Sequence, residues 1–379
     1  MSALTDRSAG QIESFRPKRF SARYGVDPVL LLLLLVLMGF GLAILYSASG
    51  QNMAMILRQS VHYAVGSAAM IALTFVRRDT LYQVTPFVFA FAALMLLAVL
   101  LLGTGAKGAQ RWLDLPGLPR FQPSELMKLA LPAMVAWWLT RRPLPPRALD
   151  VLIAFVLVAL PVGMIVIQPD LGTSLLIAAS GFFVLFLAGL SWKLMGSLMA
   201  LGLASLPVLW ALMYDYQKRR VMTLLDPTSD PLGAGWNTLQ AMTALGSGGI
   251  SGKGFLSGTQ AQLKFLPESH TDFIVAVIGE EFGFVGMAIL VCLYALILAR
   301  ALVLTARADH SFGRLVSGSI TLTFFIYVFV NIGMVSGILP VVGVPLPLVS
   351  YGGTSVVSLL IGFGILMAMQ RSNRVLSGE

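Results

Sequence analysis

Cysteine is all but missing from this chain: there is one, Cys292, in 379 residues. A single thiol excludes an intrachain disulfide and any thiolate metal cluster. Set within an apolar stretch, it reads as a small packing residue. Histidine is scarce too. His62, His270 and His310 are scattered with no His-x-x-x-His spacing, so no histidine metal centre is written in the sequence. Walker and dinucleotide fingerprints are absent, which argues against a nucleotide-driven pump. Charge is the third shortage, at 11% of residues against about 25% in soluble domains.

What takes the place of charge is apolar, 57% of the chain, in stretches long enough to span a bilayer. The chain reads as an all-α, polytopic integral membrane protein. Ten spans are expected, at about 28–48, 54–76, 84–102, 122–140, 149–168, 171–190, 192–214, 273–299, 314–338 and 346–370. Residues 1–24 are polar and basic, and the apolar run after Pro28 is too long for a signal-peptide core, so it reads as a retained first helix. The organisation expected is a loose N-terminus over 1–24, a membrane domain over 25–372 and a short tail over 373–379.

The net charge of +9 lies in short loops between apolar spans, a topology signal and not a nucleic-acid-binding face. Arg77, Arg78, Arg141, Arg142, Arg147, Lys193, Arg300, Arg307, Arg314, Arg371 and Arg374 fall in alternate connections. The intervening connections at 49–53, 168–171 and 339–345 hold no Lys or Arg. The positive-inside rule therefore places both termini in the cytoplasm. Two long loops, 103–121 and 215–272, lie outside, the second between helices 7 and 8. Their own basic residues, Lys107, Arg111, Arg120, Lys218, Arg219, Arg220, Lys253 and Lys264, oppose the topological bias, as residues serving an anionic ligand would.

The loop 215–272 is too long for a simple connection. Residues 235–247 fit a short amphipathic helix at the membrane surface. The glycine-rich 245–254 stretch suits either a flexible loop or the close approach of a phosphate.

Charges inside the spans are few. Glu125 and Lys128, three apart, share a helix face: they form a structural ion pair or line a polar cavity. Arg58 and His62 are four apart; Arg58 either snorkels to lipid phosphates or meets a ligand. Asp170, in Gln168-Pro-Asp-Leu-Gly172, caps the next helix, although broken apolar segments also mark binding sites. Glu280 and Glu281 are adjacent and point apart, which makes a two-carboxylate centre a poor reading; one is expected to pair with an arginine or with the loop. Asp272 ends the polar run Leu266-Pro-Glu-Ser-His-Thr-Asp and enters an apolar helix. A carboxylate at that boundary is costly to desolvate, so it is either an N-cap or a functional group.

Longer motifs now bear on the question. Phe265-Leu-Pro-Glu-Ser-His-Thr-Asp-Phe273, Gly279-Glu-Glu-Phe-Gly283 and the stretch Asn331–Thr354 with Val-Pro-Leu-Pro-Leu-Val-Ser-Tyr-Gly-Gly resemble the SEDS family (shape, elongation, division and sporulation proteins). Lys107-Gly-Ala-Gln-Arg-Trp112, Phe121-Gln-Pro-Ser-Glu125, Gln168–Thr173 and Tyr216-Gln-Lys-Arg-Arg-Val221 are similar to the same family. The resemblance covers about 25–372. Gly258-Thr-Gln260 and Val341-Val-Gly-Val-Pro345 look like its elongation branch; Val275, where a Phe is common, is a small departure.

The resemblance implies a GT-C-like membrane fold in the bacterial cytoplasmic (inner) membrane. It implies a peptidoglycan glycosyltransferase that polymerises lipid II at the periplasmic face. The partners it implies are lipid II, the nascent glycan, a class B penicillin-binding protein and other elongation-complex proteins. An α-linked pyrophosphate donor and a β-1,4 product require inversion in a single displacement. Inverting glycosidases use two carboxylates because they must protonate a poor leaving group. Diphosphate leaves as a stabilised anion, so cations can replace the acid. The expected site is thus Asp272 as general base, held by hydrogen bonds from His270 and Thr271. Arg58, Arg111, Lys128, Arg219 and Arg220 would contact the pyrophosphate, and Ser350 and Tyr351 would shape the cavity. A divalent cation at the pyrophosphate is the one cofactor this reading admits. A lipid II flippase and a non-enzymatic scaffold compete with it; Asp272→Ala separates them, since only polymerisation needs a proton acceptor.

Overall fold

The structure is a computed structural model that describes residues 25–106, 109–112, 122–213, 218, 221–224, 235–259, 266 and 268–370. Its longer helices are α1 Pro28–Ala48, α2 Met53–Thr74, α3 Arg78–Leu102, α4 Pro123–Leu139, α5 Ala148–Ile167, α6 Leu171–Leu187, α7 Trp192–Leu212, α8 Trp236–Ser247, α9 Ile274–Ala306, α10 Ser311–Val335 and α11 Gly353–Ala368. A helix lies over each expected span, and α8 lies over the expected amphipathic segment. Among the described residues α1, α3, α5, α9 and α10 are long and apolar enough to cross a bilayer by length and composition. One element was not foreseen: a small antiparallel hairpin of β1 Thr104–Ala106 and β2 Ala109–Trp112 follows α3.

Local chemistry sets the helix starts. Asp27 caps α1 by accepting from Leu30 N at 2.8 Å, and Pro28 fills a first-turn position that needs no N–H. Asn52 caps α2 in the same way. The helices pack around two apolar cores. One joins α1, α2, α8, α9, the second half of α10 and α11; the other joins α3, α4, α5, α6 and the start of α10. The bundle has two distinct ends. At one, Arg300 of α9 forms a fork with Asp27, its Nε 3.0 Å from Oδ1. At the other, Ser269 donates to Ala48 O at 3.1 Å.

Two expected spans are not simple helices. The last, expected over 346–370, is helical only from Gly353; Pro345 and Pro347 lack amide donors and force extended backbone ahead of it. The other, α9, breaks at Gly283 (φ 59°, ψ −152°), a conformation that a side chain resists. The glycine-rich loop fills the break. Lys253 N and Gly254 N donate to Glu280 O and Glu281 O at 3.0 Å each, while Phe284 N and Val285 N donate to Gly249 O and Ile250 O at 2.9 and 3.1 Å. Those are the partners an unbroken helix would have joined to each other. The loop is therefore docked into the break through its own backbone. Its glycines let two backbones touch: a Cβ on Gly252 would lie 2.1 Å from Glu281 O.

Candidate active site

The non-helical stretch ahead of α11 forms a buried shelf, with Leu348 and Val349 at 0% exposure. Backbone carbonyls at that depth need donors, and side chains from three helices supply them. Asn331 Nδ2 of α10 donates to Val344 O at 2.6 Å, Tyr294 Oη of α9 to Pro347 O at 2.6 Å, and Tyr63 Oη of α2 to Leu348 O at 2.7 Å. Gln59 of α2 takes Ser350 O and accepts from Gly352 N, both at 3.3 Å.

Asp272 lies on this shelf, partly exposed at the start of α9. Phe273 is the N-cap residue there and its side chain makes no cap bond. The main chain around it is fixed from below. Asn331 Nδ2 donates to Asp272 O at 2.9 Å, Ser350 Oγ donates to Thr271 O, and Tyr351 N donates to His270 O at 2.9 Å. Gly343 (φ 73°) lies beside the carboxylate; a Cβ there would be 3.3 Å from Oδ2.

The expected hold on Asp272 through Thr271 is corrected. Thr271 Oγ1 donates to Glu268, 2.9 Å from Oε2, and the fixing comes from Asn331, Ser350 and Tyr351 instead. His270 contributes its carbonyl, with its ring 6.3 Å from that of Tyr351.

Glu125 and Lys128 of α4 are paired at 2.7 Å and nearly buried, and Ser358 Oγ donates to Glu125 Oε2 at 2.7 Å. The pair ties α4 to α11, and it also lines a small cavity between α4, α10 and α11. The cavity opens about 30 Å³ to the centre of a water, room for one or two waters and not for a sugar ring. Lys128 Nζ stands 5.0 Å from the centroid of the buried Tyr327 ring. Tyr327 and Asn331 are one turn apart on α10, so one helix face joins this cavity to the shelf under Asp272. Asp170 caps α6 through Thr173 N at 3.2 Å, as the local sequence suggested. Its neighbour Gly172 abuts Val342 O, at 2.9 Å from an added Cβ.

Arg58 is exposed on α2, one turn from His62, which packs against Gly353 (3.2 Å from an added Cβ to Nε2). Arg219, Arg220 and the side chain of Arg111 lie outside the described residues. Among the described residues no three His, Cys, Asp or Glu side chains gather as for a metal ion. Glu280 pairs with Lys253 of the loop at 2.7 Å, and Glu281 accepts from Ser47 of α1. Sequence reasoning passed over Asn331, Gln59, Tyr63 and Tyr294. The available signal was four amide and phenol groups in apolar helices, each needing a buried partner.

Residues 28–375 match the FtsW/RodA/SpoVE family, described as cell cycle proteins. The peptidoglycan glycosyltransferase MrdB of Escherichia coli K12 is 50% identical over 361 residues, covering 95% of this chain and 97% of its own. A probable peptidoglycan glycosyltransferase FtsW of Geobacter sp. M18 is 34% identical, covering 90% and 96%. Among solved structures, a chain of a peptidoglycan synthase complex that coordinates polymerisation and crosslinking is similar at TM-score 0.80 and 33% identity, over 91% of this chain and 97% of that one. The Thermus thermophilus rod shape determining protein RodA is similar at TM-score 0.70 and 30% identity, over 91% and 96%. Fold, motifs and relatives agree: this chain belongs to the FtsW/RodA/SpoVE family.

Proposed function

We propose that the chain is an inverting peptidoglycan glycosyltransferase of the elongation type, polymerising lipid II into β-1,4-linked glycan with Asp272 as general base. The carrying observation is the setting of Asp272. It is a partly exposed carboxylate at the start of α9, with the backbone around it fixed by Asn331, Ser350 and Tyr351. The greater likeness to MrdB than to the FtsW proteins supports the elongation assignment.

In this reading the acceptor 4-hydroxyl gives its proton to Asp272 as its oxygen attacks the donor's anomeric carbon. The sugar–phosphate bond breaks on the opposite face, and undecaprenyl diphosphate leaves with the electron pair. General-base catalysis is worth about 10²–10⁴-fold. Arg58, Arg111, Arg219 and Arg220 are assigned to the departing diphosphate, where arginine gives bidentate contacts. Any divalent cation there would be ligated by phosphate oxygens. Lys128 is committed to Glu125, so its expected contact with the diphosphate is left out of this reading. The same reading puts both termini in the cytoplasm and Asp272 at the periplasmic face of the inner membrane. It gives the chain a class B penicillin-binding protein as partner.

The test is lipid II polymerisation by the purified full chain with its transpeptidase partner. Asp272→Ala is expected to lose glycan synthesis while remaining folded and partner-bound. Wild-type synthesis by that variant would remove the assignment and return the field to a flippase or scaffold.

A further inference from the structure

The loop that fills the break in α9 is held by more than backbone. Glu280, at 0% exposure, receives three donors on one oxygen: Lys253 Nζ at 2.7 Å, Thr259 N at 2.8 Å and Thr259 Oγ1 at 2.8 Å. Lys253 Nζ also donates to Thr259 Oγ1 at 3.0 Å, closing a small ring of polar contacts. Glu281, one residue on, is bound by Ser47 at the end of α1. A carboxylate buried this completely is tolerated only when paired and hydrogen-bonded.

The position of this cluster gives it a further meaning. Residue 280 lies two turns along the helix that Asp272 introduces, and Lys253 lies on the chain that leads into Asp272. Loop and helix thus form one closed circuit, 253 to 280, with Asp272 on its rim. The rim is held from two sides. The shelf fixes the backbone of residues 270–272 through Asn331, Ser350 and Tyr351. The Lys253–Glu280 contact fixes the far side of the circuit, and Ser47 and Ser269 bind both of its limbs to the end of α1.

We propose that Lys253 and Glu280 are positioning residues that set the placement of Asp272 for proton abstraction by clamping the loop to the broken helix. The proposal rests on Asp272 being the base. With the clamp open, the two apolar cores still fold the chain and let it bind lipid II, at a lower melting point because Glu280 loses its buried partner. Residues 268–274 are left to the shelf and the Ser269 contact with α1. The carboxylate then samples more positions than the one that reacts. Misplacement of about 1 Å can cost about a hundred-fold in rate. The defect therefore falls on turnover and leaves KM alone. Because Lys253 acts through its charge and a donor, both of which arginine also carries, Lys253→Arg keeps the contact to Glu280.

The experiment compares wild type, Lys253→Ala, Lys253→Arg, Glu280→Gln and Asp272→Ala as full chains with the transpeptidase partner. It measures kcat and KM for lipid II, melting in detergent, and amide hydrogen exchange over 268–274. Lys253→Ala and Glu280→Gln are expected to lose about ten- to a hundred-fold in kcat with KM within about two-fold of wild type. Exchange over 268–274 rises in both, and Lys253→Arg recovers most of the turnover. Wild-type kcat in Lys253→Ala overturns the clamp. So does a loss in Lys253→Ala that tracks melting and is shared by Lys253→Arg. If Asp272→Ala polymerises normally, the base assignment has failed instead.

Discussion

Asn331 is the residue on which the site's backbone turns. It lies at 0% exposure and holds two carbonyls that have no helix to bond to, Asp272 O and Val344 O. Asn331→Ala strands both, at about 1–3 kcal/mol each, and should lower the melting temperature together with polymerase activity. Gly343→Ala makes a narrower claim. It forces an alanine into φ 73° and brings a methyl 3.3 Å from Asp272 Oδ2, so activity should fall much more than stability. A parallel measurement of melting and of lipid II turnover distinguishes the two cases. Asp272 was legible in the sequence because a carboxylate at a membrane boundary must be explained. Its supports were not, since Asn331 and Ser350 lie 59 and 79 residues from the carbonyls of Asp272 and Thr271 that they hold, and Gln59 lies 291 residues from Ser350.

At the scale of elements, the broken α9 and its inserted loop make the sharpest demands on side-chain size. Gly252→Ala would place a Cβ 2.1 Å from Glu281 O in a backbone at φ 76°, so loop and helix must separate. A loss of about 3 kcal/mol or more is expected, read as a lowered melting midpoint for the purified chain. The α4–α10–α11 contact depends on charge. Lys128→Ala leaves Glu125 buried with Ser358 as its remaining partner among the described residues, and breaking such a pair costs about 3–5 kcal/mol. Adding Glu125→Gln should restore much of that stability without restoring activity. Apolar runs announced both helices. That α9 breaks followed from a glycine whose partner, another glycine-rich stretch, only the tertiary contact reveals.

For the molecule as a whole, closure at the end opposite the site depends on Asp27 and Arg300. Burial pushes the Asp27 carboxyl up, but hydrogen bonds from Arg300 and the Leu30 amide, with the Arg307 charge, bring it below the ordinary carboxylate value. A depressed folded value means the stabilisation is present above the ordinary carboxylate range and is lost as pH falls through the lower, folded value. Wild type should therefore lose stability on acidification below that range, and Arg300→Gln should show a shallower loss over the same interval. The sequence by itself determined the class of the molecule, the places of its helices and the carboxylate to watch. Each of these follows from transfer out of water or from a cap, and both are local in the chain. Only the tertiary structure decided where the shelf lies, which polar groups satisfy it and how the glycine loop enters α9. Those are pairings between distant segments, fixed by the requirement that every buried donor and acceptor find a partner.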